Sequence, residues 1–475
     1  MKTRALIAIL ALGLGTTADA QILTRPAPPA SGGGAEGPPP VSAPSAGANP
    51  FMGSVPAGAP SAQPVVLTLT SAIERGLEHN LGVLTLEQQV ENARGARWRS
   101  LSGMLPNVGA QAAHSTQTTN LAAFGFDSSL FPGIPSLIGP FSVFDARIYL
   151  SQPLLDFSAL ADVDRSARAL DAARLDSRNA RDLVTLVVTD LYLQAATAAN
   201  RIAAARTQVT TAEGLLKLAT DLRNAGAAPG IDVVRAQVQL RAQQQRLIRV
   251  QNDFAKDKLQ LARAIGIPSA QPIELSDTNA AVPRLDLSLD QALQRATAGR
   301  TDYQAAMARV QAAEADYRAA KADALPTLRV NADYGALGSS PTDARGTYAI
   351  SGSVQVPVFD AGRRKSRTIE TASALRQRQS EAADLQDRIA TEVRSAFLDV
   401  DAADQQLVVA RERIALVNQE LGLAQTRFSA GVTSNLEVIQ AQDEVAVATE
   451  NELLSEYAFN VAKAALARAV GGSTP

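Results

Sequence analysis

The chain has 475 residues, with 45 basic and 47 acidic side chains and a formal net charge of −2. The two signs are interspersed, so no basic surface for nucleic acid is indicated. Cysteine is absent and the only histidines are His79 and His114, which excludes thiolate metal sites and disulfides and leaves little imidazole chemistry. We therefore expect no cofactor, no metal and no nucleic-acid partner.

The first twenty residues have the pattern of a secretory signal peptide. Lys2 and Arg4 precede an apolar run at 5–14, and residues 18–20 (Ala-Asp-Ala) have the small-x-small pattern of a cleavage site. Because residue 21 is glutamine and the chain has no cysteine, we expect an exported protein without a lipid anchor at its N-terminus. No later stretch has the roughly 18 apolar residues of a membrane helix, so any membrane span must consist of strands.

The segment that follows, 21–66, is rich in Pro, Gly, Ala and Ser. Such a composition cannot bury enough apolar surface to offset the entropy lost on ordering. We predict a flexible linker at 21–66.

The rest of the chain contains an internal duplication. Residues 71–108 parallel residues 291–328 with an offset of 220 (325 − 105), and residues 261–266 parallel 466–471 with an offset of 205 (471 − 266). A length change of some fifteen residues between them indicates an exposed loop. The duplication predicts two structural repeats, at 67–266 and 287–471, with a connector at 267–286 and a tail at 472–475.

Long helices are predicted by the apolar periodicity. In the first repeat they cover Leu69–Gly103, Asp156–Asn224 and Ile231–Ile265. Apolar side chains recur every seventh residue within the two later helices (Val188, Ala195, Ile202, Val209 and Leu216; Val233, Leu240, Leu247, Phe254 and Leu261). Sustained heptads are typical of helices packed side by side as coiled coils. At about 1.5 Å per residue the longest helix would measure roughly 100 Å, and the other two together would match it.

Four segments alternate between apolar and polar residues and are predicted to be strands. They cover about 107–117, 141–152, 327–336 and 346–356. Each has about the length of a tilted membrane strand, although alternation alone also fits a soluble hairpin. Helical patterns run into strands at Pro106 and Pro326 and resume after Pro153 and Pro357, where two aspartates are candidate N-caps (Asp156 and Asp360).

The number of strands predicts an assembly of several chains. An open sheet cannot cross a bilayer, because its edge amides would be unpaired, and closed membrane barrels need at least about eight strands. Four strands per chain therefore predict a barrel shared between chains. The connections 121–140 and 337–345 would be extracellular loops, and the greater length of the first accounts for the change of offset.

Two turns are predicted between the paired helices. Gly226 and Gly431 lie between helical runs, where a residue with positive φ can end one helix and reverse the chain. Ser434 is a candidate N-cap, and Glu437 follows it at the spacing of a capping box. On this interpretation Glu437 is a structural residue.

Residues 67–471 resemble the outer membrane efflux protein family, whose members are TolC-like. The resemblance depends on the duplication, on the strand-to-helix junctions at 152–156 (Gln-Pro-Leu-Leu-Asp) and 356–360 (Val-Pro-Val-Phe-Asp), and on the helix tip at 427–442. That tip fits the family pattern Arg-x-x-x-Gly-x-x-Ser-x-x-Asp/Glu-Val-x-x-Ala. The first tip, 226–237, fits it less well.

The resemblance implies a mainly α fold with a membrane β-barrel. In a homotrimer, twelve strands would form a β-barrel in contact with the lipid of the Gram-negative outer membrane, and twelve long antiparallel coiled-coil helices would form an α-barrel in the periplasm. The helix tips would form the closed end, where the turns at Gly226, Gly431 and Ser434 would dock a periplasmic adaptor protein and an inner-membrane pump.

The resemblance also assigns a constriction, formed by Asp232, Phe428, Thr433, Glu437 and Gln440. Three-fold symmetry would gather three Glu437 carboxylates, which would favour cations. Related tips can carry a second acidic residue where this chain has Gln440, and a linking tyrosine and arginine where it has Phe428 and Thr433. Asp232 matches an acidic link partner. We therefore expect side-chain packing, more than hydrogen bonds, to hold the tip closed.

The resemblance therefore implies a passive exit duct for small molecules in a tripartite efflux system. No nucleophile with an adjacent base, phosphate loop or metal-ligand cluster is evident, so we expect no enzymatic activity. An alternative is the outer component of a type I protein secretion system. Another is a periplasmic coiled-coil adaptor or structural protein, which would be soluble in water and would carry one helical hairpin beside compact β-domains.

Overall fold

The computed structural model describes residues 49–124, 133 and 135–472, which belong to one compact unit. The predicted signal peptide 1–20 and residues 21–48 of the predicted linker lie outside the described residues, as does most of 125–134 in the first predicted loop. Among the described helices, none combines the length and apolarity that crossing a membrane requires.

The described residues form a mainly helical fold with few strands, as the sequence predicted. The helices are α1 (Leu69–His79), α2 (Leu81–Ser102), α3 (Phe157–Asn224), α4 (Gly230–Ala264), α5 (Leu289–Gly299), α6 (Thr301–Ala322), α7 (Arg363–Ser429) and α8 (Asn435–Ala469). The strands are β1 (Val65–Leu67), β2 (Asn107–Asn120), β3 (Leu137–Leu155), β4 (Ile273–Leu275), β5 (Thr327–Gly338) and β6 (Arg345–Gln355). The order of two helices, two strands and two long helices occurs twice.

The four long strands form one antiparallel sheet in the order β2-β3-β5-β6. On one face Arg147 pairs with Asp145 at 2.7 Å and with Asp333 at 2.8 Å. On the other face Ile350 and Val354 are exposed. Among the described residues the outer edges of β2 and β6 have no strand partner, so the sheet has two open edges.

The helices form one layer in which α3 and α7 extend past shorter helices. Near the sheet, α3 contacts α2 and α6, and α6 contacts α7; near the helix tips, α3 contacts α4 and α8, and α8 contacts α7. The outermost helices are therefore α2 and α4 on one side and α7 on the other.

The heptad pattern located the coiled coils but not their most buried positions. Of the predicted α3 positions, Val188 and Ala195 are fully buried, while Ile202, Val209 and Leu216 are half-buried. The most buried heptads are richest in alanine (Ala198, Ala205, Ala212 and Ala219 in α3; Ala382, Ile389, Ala396, Ala403, Ala410, Val417 and Ala424 in α7). Small side chains allow the backbones to approach, and periodicity weighted by hydrophobicity undervalues them.

The predicted helix 69–103 is in fact two helices, α1 and α2, separated at Asn80. The backbone of Asn80 is extended (φ −67°, ψ 132°). Its buried side chain accepts a hydrogen bond from the Gly82 amide at 2.9 Å and donates to the carbonyls of Phe51 at 2.7 Å and Ala264 at 3.2 Å. These contacts satisfy backbone groups that a helix break exposes. Arg300 separates α5 from α6 with the same extended backbone (φ −66°, ψ 122°), but its side chain makes no capping hydrogen bond.

The predicted linker 21–66 is too long, because residues from 49 onward are packed. A 3-10 helix at Pro50–Met52 places Phe51 against the core, and β1 pairs in parallel with β4, which lies within the predicted connector 267–286. The Tyr192 hydroxyl donates to the carbonyls of Leu67 and Asp277. Composition missed this pairing because each strand has only three residues and the two are far apart in sequence.

Candidate functional site

The two helix tips reverse at the glycines that the sequence indicated. Gly226 has φ 73° and Gly431 has φ 68°, the left-handed conformation that glycine adopts without strain. The amides of Gly226 and Ala227 donate to carbonyls at the end of α3, and those of Gly431 and Val432 donate in the same way to α7. Each turn therefore completes the end of a long helix and begins a hairpin.

An apolar cluster joins the two hairpins at their tips. Its buried members come from all four tip helices (Leu215, Ala219, Val233, Ala236, Ala424, Phe428, Val438 and Ala441). Phe428 is the largest of them and is only 2% exposed. The residue that stands where related tips have a linking tyrosine therefore packs between hairpins.

A buried hydrogen bond lies beside this cluster. The Asn435 amide nitrogen donates to the backbone carbonyl of Asp232 at 2.6 Å, and both residues are almost fully buried. The Asp232 carboxylate lies 3.4 Å from Arg235 in the same helix. The sequence did not indicate Asn435, because its partner is a backbone carbonyl 203 residues away along the chain.

The predicted capping box at Ser434 and Glu437 is wrong. Ser434 occupies the N-cap position of α8, but its side chain makes no capping hydrogen bond. The Glu437 carboxylate lies 3.3 Å from Arg427 across the turn. Both side chains are more than a third exposed, so this ion pair contributes little stability, and Glu437 remains accessible to solvent.

The other two candidate constriction residues lie near the turn but outside the apolar cluster. Gln440 is exposed and Thr433 is half-buried. Among the hydrogen bonds of the described residues, neither side chain takes part in one. The structure thus brings Asp232, Phe428 and Glu437 together at the tip, with Gln440 on the surface beside them.

The strand–helix junctions differ between the two repeats. In the first, Asp156 caps α3 by accepting from the Ala159 amide at 2.9 Å. In the second, Asp360 is not the N-cap as predicted, because Ala361 and Gly362 adopt positive φ and α7 begins at Arg363. Asp360 instead accepts from the Arg364 amide at 2.9 Å and from its guanidinium at 2.6 Å, which holds the pKa of the Asp360 carboxyl below its usual value.

The four junction prolines lie at strand ends, with one exception. Pro106 and Pro326 immediately precede β2 and β5, and Pro357 follows β6. Pro153 lies inside β3, which continues to Leu155 through a shift of register. The strand therefore extends beyond its predicted end at 152, because a bulge accommodates a residue that cannot donate to the ladder.

A sheet with two open edges that continues into long helical hairpins defines a class of channel subunits. The profile of the outer membrane efflux protein family matches residues 72–267 and 292–472, and the chain belongs to this family. It is accordingly an outer-membrane efflux channel with its helical body in the periplasm.

Similar proteins include the pyoverdine export outer membrane protein OpmQ of Pseudomonas putida, 25% identical over 344 residues (69% of this chain and 70% of OpmQ). Outer membrane protein OprJ of Pseudomonas aeruginosa is 26% identical over 324 residues, which is 62% of this chain and 63% of OprJ. The outer-membrane channel OprN has a similar fold (TM-score 0.73, 20% identity, 86% of this chain and 91% of OprN). The Campylobacter jejuni CmeC outer membrane channel is similar too (TM-score 0.74, 15% identity, 92% and 94%).

Proposed function

We propose that three copies of the chain form the passive exit duct of a tripartite efflux system, which conducts small molecules delivered by an inner-membrane pump through a periplasmic adaptor. The observation that carries this proposal is the pair of open edges on the sheet. If all copies cross the membrane in the same orientation, the β2 edge of one copy pairs with the β6 edge of the next, and such head-to-tail contacts close into a ring. Three copies supply twelve strands (3 × 4).

The outermost helices lie on the same two sides of the chain as the open edges of the sheet. The outermost helices α2 and α4 continue the β2 edge, and the outermost helix α7 continues the β6 edge. In such a ring, each copy has the same two neighbouring copies in the helical part as in the sheet. This continuity supports a duct in which one repeat, 67–266, meets the other, 287–471, of the next copy.

The outer face of the sheet suits contact with lipid. Tyr334, Tyr348, Ile350 and Val354 are each more than two-thirds exposed on one face, opposite the face that carries Arg147 and its carboxylate partners. In a water-soluble sheet such a face would be covered. We infer that it faces the hydrocarbon of the outer membrane and that the charged face lines the duct.

We assign the constriction to the tip. Gly226, Gly431 and Ser434 would present the turns to the adaptor, and Glu437 with Gln440 would face the narrow end. The similarity to OpmQ, a pyoverdine export protein, supports a small exported molecule.

Reconstitution in a planar bilayer tests the proposal. Purified protein should migrate as a trimer in mild detergent and should give discrete ion-conducting steps across the bilayer, and a tagged copy should co-purify a periplasmic adaptor. A single subunit that conducts ions by itself would contradict the shared barrel. A water-soluble protein that does not enter membranes would favour the adaptor class instead.

A further inference from the structure

Two outermost helices carry exposed apolar stripes that nothing in the described chain covers. On α4 the stripe comprises Ile231, Val234, Val238, Ile248 and Leu259, which are 51–67% exposed. On α7 it comprises Leu398, Val409, Leu416 and Leu423, which are 63–70% exposed. Each stripe lies on the opposite side of its helix from the buried heptads, so each faces away from the chain.

Both stripes follow the alternating steps of three and four residues that are typical of coiled-coil seams. The α4 seam consists of positions 231, 234, 238, 241, 245, 248, 252, 255 and 259, and the α7 seam of positions 398, 402, 405, 409, 412, 416, 419 and 423. Since α4 runs from the tip toward the body and α7 runs toward the tip, the two seams would meet as antiparallel partners.

Contacts inside the chain show which residues of α4 and α7 lie at the same distance from the tips. Against α8, Gln239 contacts Asp443 and Arg246 contacts Glu450, a constant difference of 204 (443 − 239 and 450 − 246). The contacts of α7 with α8 pair 411 with 452, 413 with 444 and 427 with 437. The α7 and α8 residue numbers in these contacts add to between 857 and 864. Because each α8 number exceeds the level α4 number by 204, an α4 residue and an α7 residue lie level when their residue numbers add to between 653 and 660.

Only one alignment of the seams satisfies these levels. The two seams match when the residue numbers of opposite positions add to 657, or to a sum that differs from 657 by a multiple of seven, such as 650 or 664. Of these sums only 657 lies between 653 and 660. It places Val234 opposite Leu423, Ile248 opposite Val409, Ala255 opposite Ala402 and Leu259 opposite Leu398. In these four layers apolar residues face apolar residues, whereas the layers between them contain polar residues (Val238 opposite Gln419, Arg241 opposite Leu416, Gln245 opposite Glu412 and Asn252 opposite Gln405).

We propose that α4 of one copy and α7 of the next form an antiparallel coiled coil in this register, and that Arg241 and Glu412 form an ion pair between copies. The inference rests on the proposed trimer, and it names the contact that selects a second copy as partner. In this register Gln245 lies opposite Glu412, and Arg241 lies one turn away in the same seam. Arg241 donates a hydrogen bond to the neutral Gln244 at 2.9 Å, and among the ion pairs of the described residues neither Arg241 nor Glu412 takes part in one.

The charged pair supports this register against a shift in one direction. A shift of seven residues to a sum of 664 would place Glu412 opposite Asn252, eleven residues from Arg241, and would separate the two charges. The opposite shift, to a sum of 650, would place Glu412 opposite Val238, and it is excluded by the helix levels alone. Polar residues in a coiled-coil seam specify register and partner in this way. The Arg241–Glu412 pair would therefore favour copies of this chain over related subunits without the pair.

Cysteine cross-linking tests the register, and the natural chain has no cysteine to interfere. The double variant Ala255→Cys/Ala402→Cys should form disulfide-linked oligomers on oxidation, because small residues in one layer bring the Cα atoms within the roughly 7 Å that a disulfide spans. The matched control is Ala255→Cys/Val409→Cys, which would link only if the register were shifted by seven residues.

The outcomes separate this inference from the proposed function. Linkage of the first variant but not of the control supports the register. Linkage of the control, or of neither variant, in a protein that still migrates as a trimer overturns the register and leaves the proposed function intact. A protein that never forms a trimer overturns both.

Charge exchange tests the ion pair. Arg241→Glu and Glu412→Arg should each weaken trimer association about tenfold or more, since like charges would then meet in the seam. The double exchange should restore most of the association, whereas Arg206→Glu, on the exposed surface of α3, should have no effect. A double exchange as weak as the single variants would overturn the pairing.

Discussion

At the residue scale, the tip depends on Phe428, whose side chain fills the space between the two hairpins. Truncation of a buried phenylalanine typically costs about 3–5 kcal/mol. Phe428→Ala should therefore loosen the packed tip and raise single-channel conductance in a planar bilayer. Val432→Ala, at a position that is 70% exposed in the same turn, is the control and should leave conductance unchanged. Unchanged conductance in Phe428→Ala would disprove closure by packing.

Asn435 makes the buried polar contact of the tip. Asn435→Ala removes the donor to the Asp232 carbonyl and leaves that carbonyl without its partner, at a cost of about 1–3 kcal/mol. Amides near Gly226 and Gly431 should then exchange hydrogen faster, as measured by mass spectrometry. Gln440→Ala, on the exposed face of the same helix, should not change the rates. Equal protection in both variants would mean that the bond does not tie the hairpins.

Glu437 and Arg427 should have opposite effects on ion preference. If three Glu437 carboxylates surround the narrow end, Glu437→Gln should lower the preference for cations at neutral pH. Arg427→Gln should raise it, because removal of the guanidinium 3.3 Å away leaves the carboxylate charge uncompensated. The reversal potential in a salt gradient measures both, with Glu213→Gln on α3 as the control. The same reversal potential in all variants would make Glu437 a structural residue only.

At the element scale, a charged cluster holds the break between α5 and α6. The buried Arg300 side chain pairs with Asp302 and Glu392. Burial is the largest effect on Asp302 and by itself raises the pKa, but hydrogen bonds and the charge of Arg300 outweigh it and lower the pKa of the Asp302 carboxyl overall. The first repeat achieves the same break with the uncharged Asn80, so this break depends on pH only in the second repeat.

The sign of that dependence follows from the lowered pKa. Asp302 stabilises the fold at pH values above its unfolded pKa of about 3.9, and this contribution is lost as the pH falls through the lower folded value. Asp302→Asn should therefore lower the thermal midpoint at pH 6 and have a much smaller effect near pH 3. Asp384→Asn, in an exposed ion pair, should have little effect at either pH. An effect of Asp302→Asn that does not change with pH would contradict the assignment.

The elements also show where sequence patterns succeed. The strands were located to within a few residues, and α3 begins and ends where the sequence indicated, because alternation and heptads are properties of neighbouring residues. The breaks at Asn80 and Arg300 were missed, since the groups that stabilise them, such as the Ala264 carbonyl and Glu392, lie about ninety residues or more away in sequence.

At the scale of the whole molecule, the orientation of the sheet in the membrane can be tested on one strand. Ile350 lies near the middle of β6 and is 74% exposed on the apolar face, and Ser351 points to the other face. Arginine on the lipid face near the bilayer midplane costs about 2–4 kcal/mol. Ile350→Arg should therefore reduce the amount of trimer recovered from the outer membrane, while Ser351→Arg should not. Equal recovery of the two variants would contradict the assigned faces.

The sequence by itself determined the duplication, the four membrane-length strands, the long helices and the glycine turns, since each depends on local periodicity or on one conformationally permissive residue. Tertiary structure alone decided that residues from 49 onward pack beside β4, that Glu437 pairs with Arg427 instead of capping α8, and that Asn435 joins the two hairpins. It also decided which residues of α4 and α7 lie at the same distance from the helix tips. These contacts join residues that only folding brings together, so no local pattern records them.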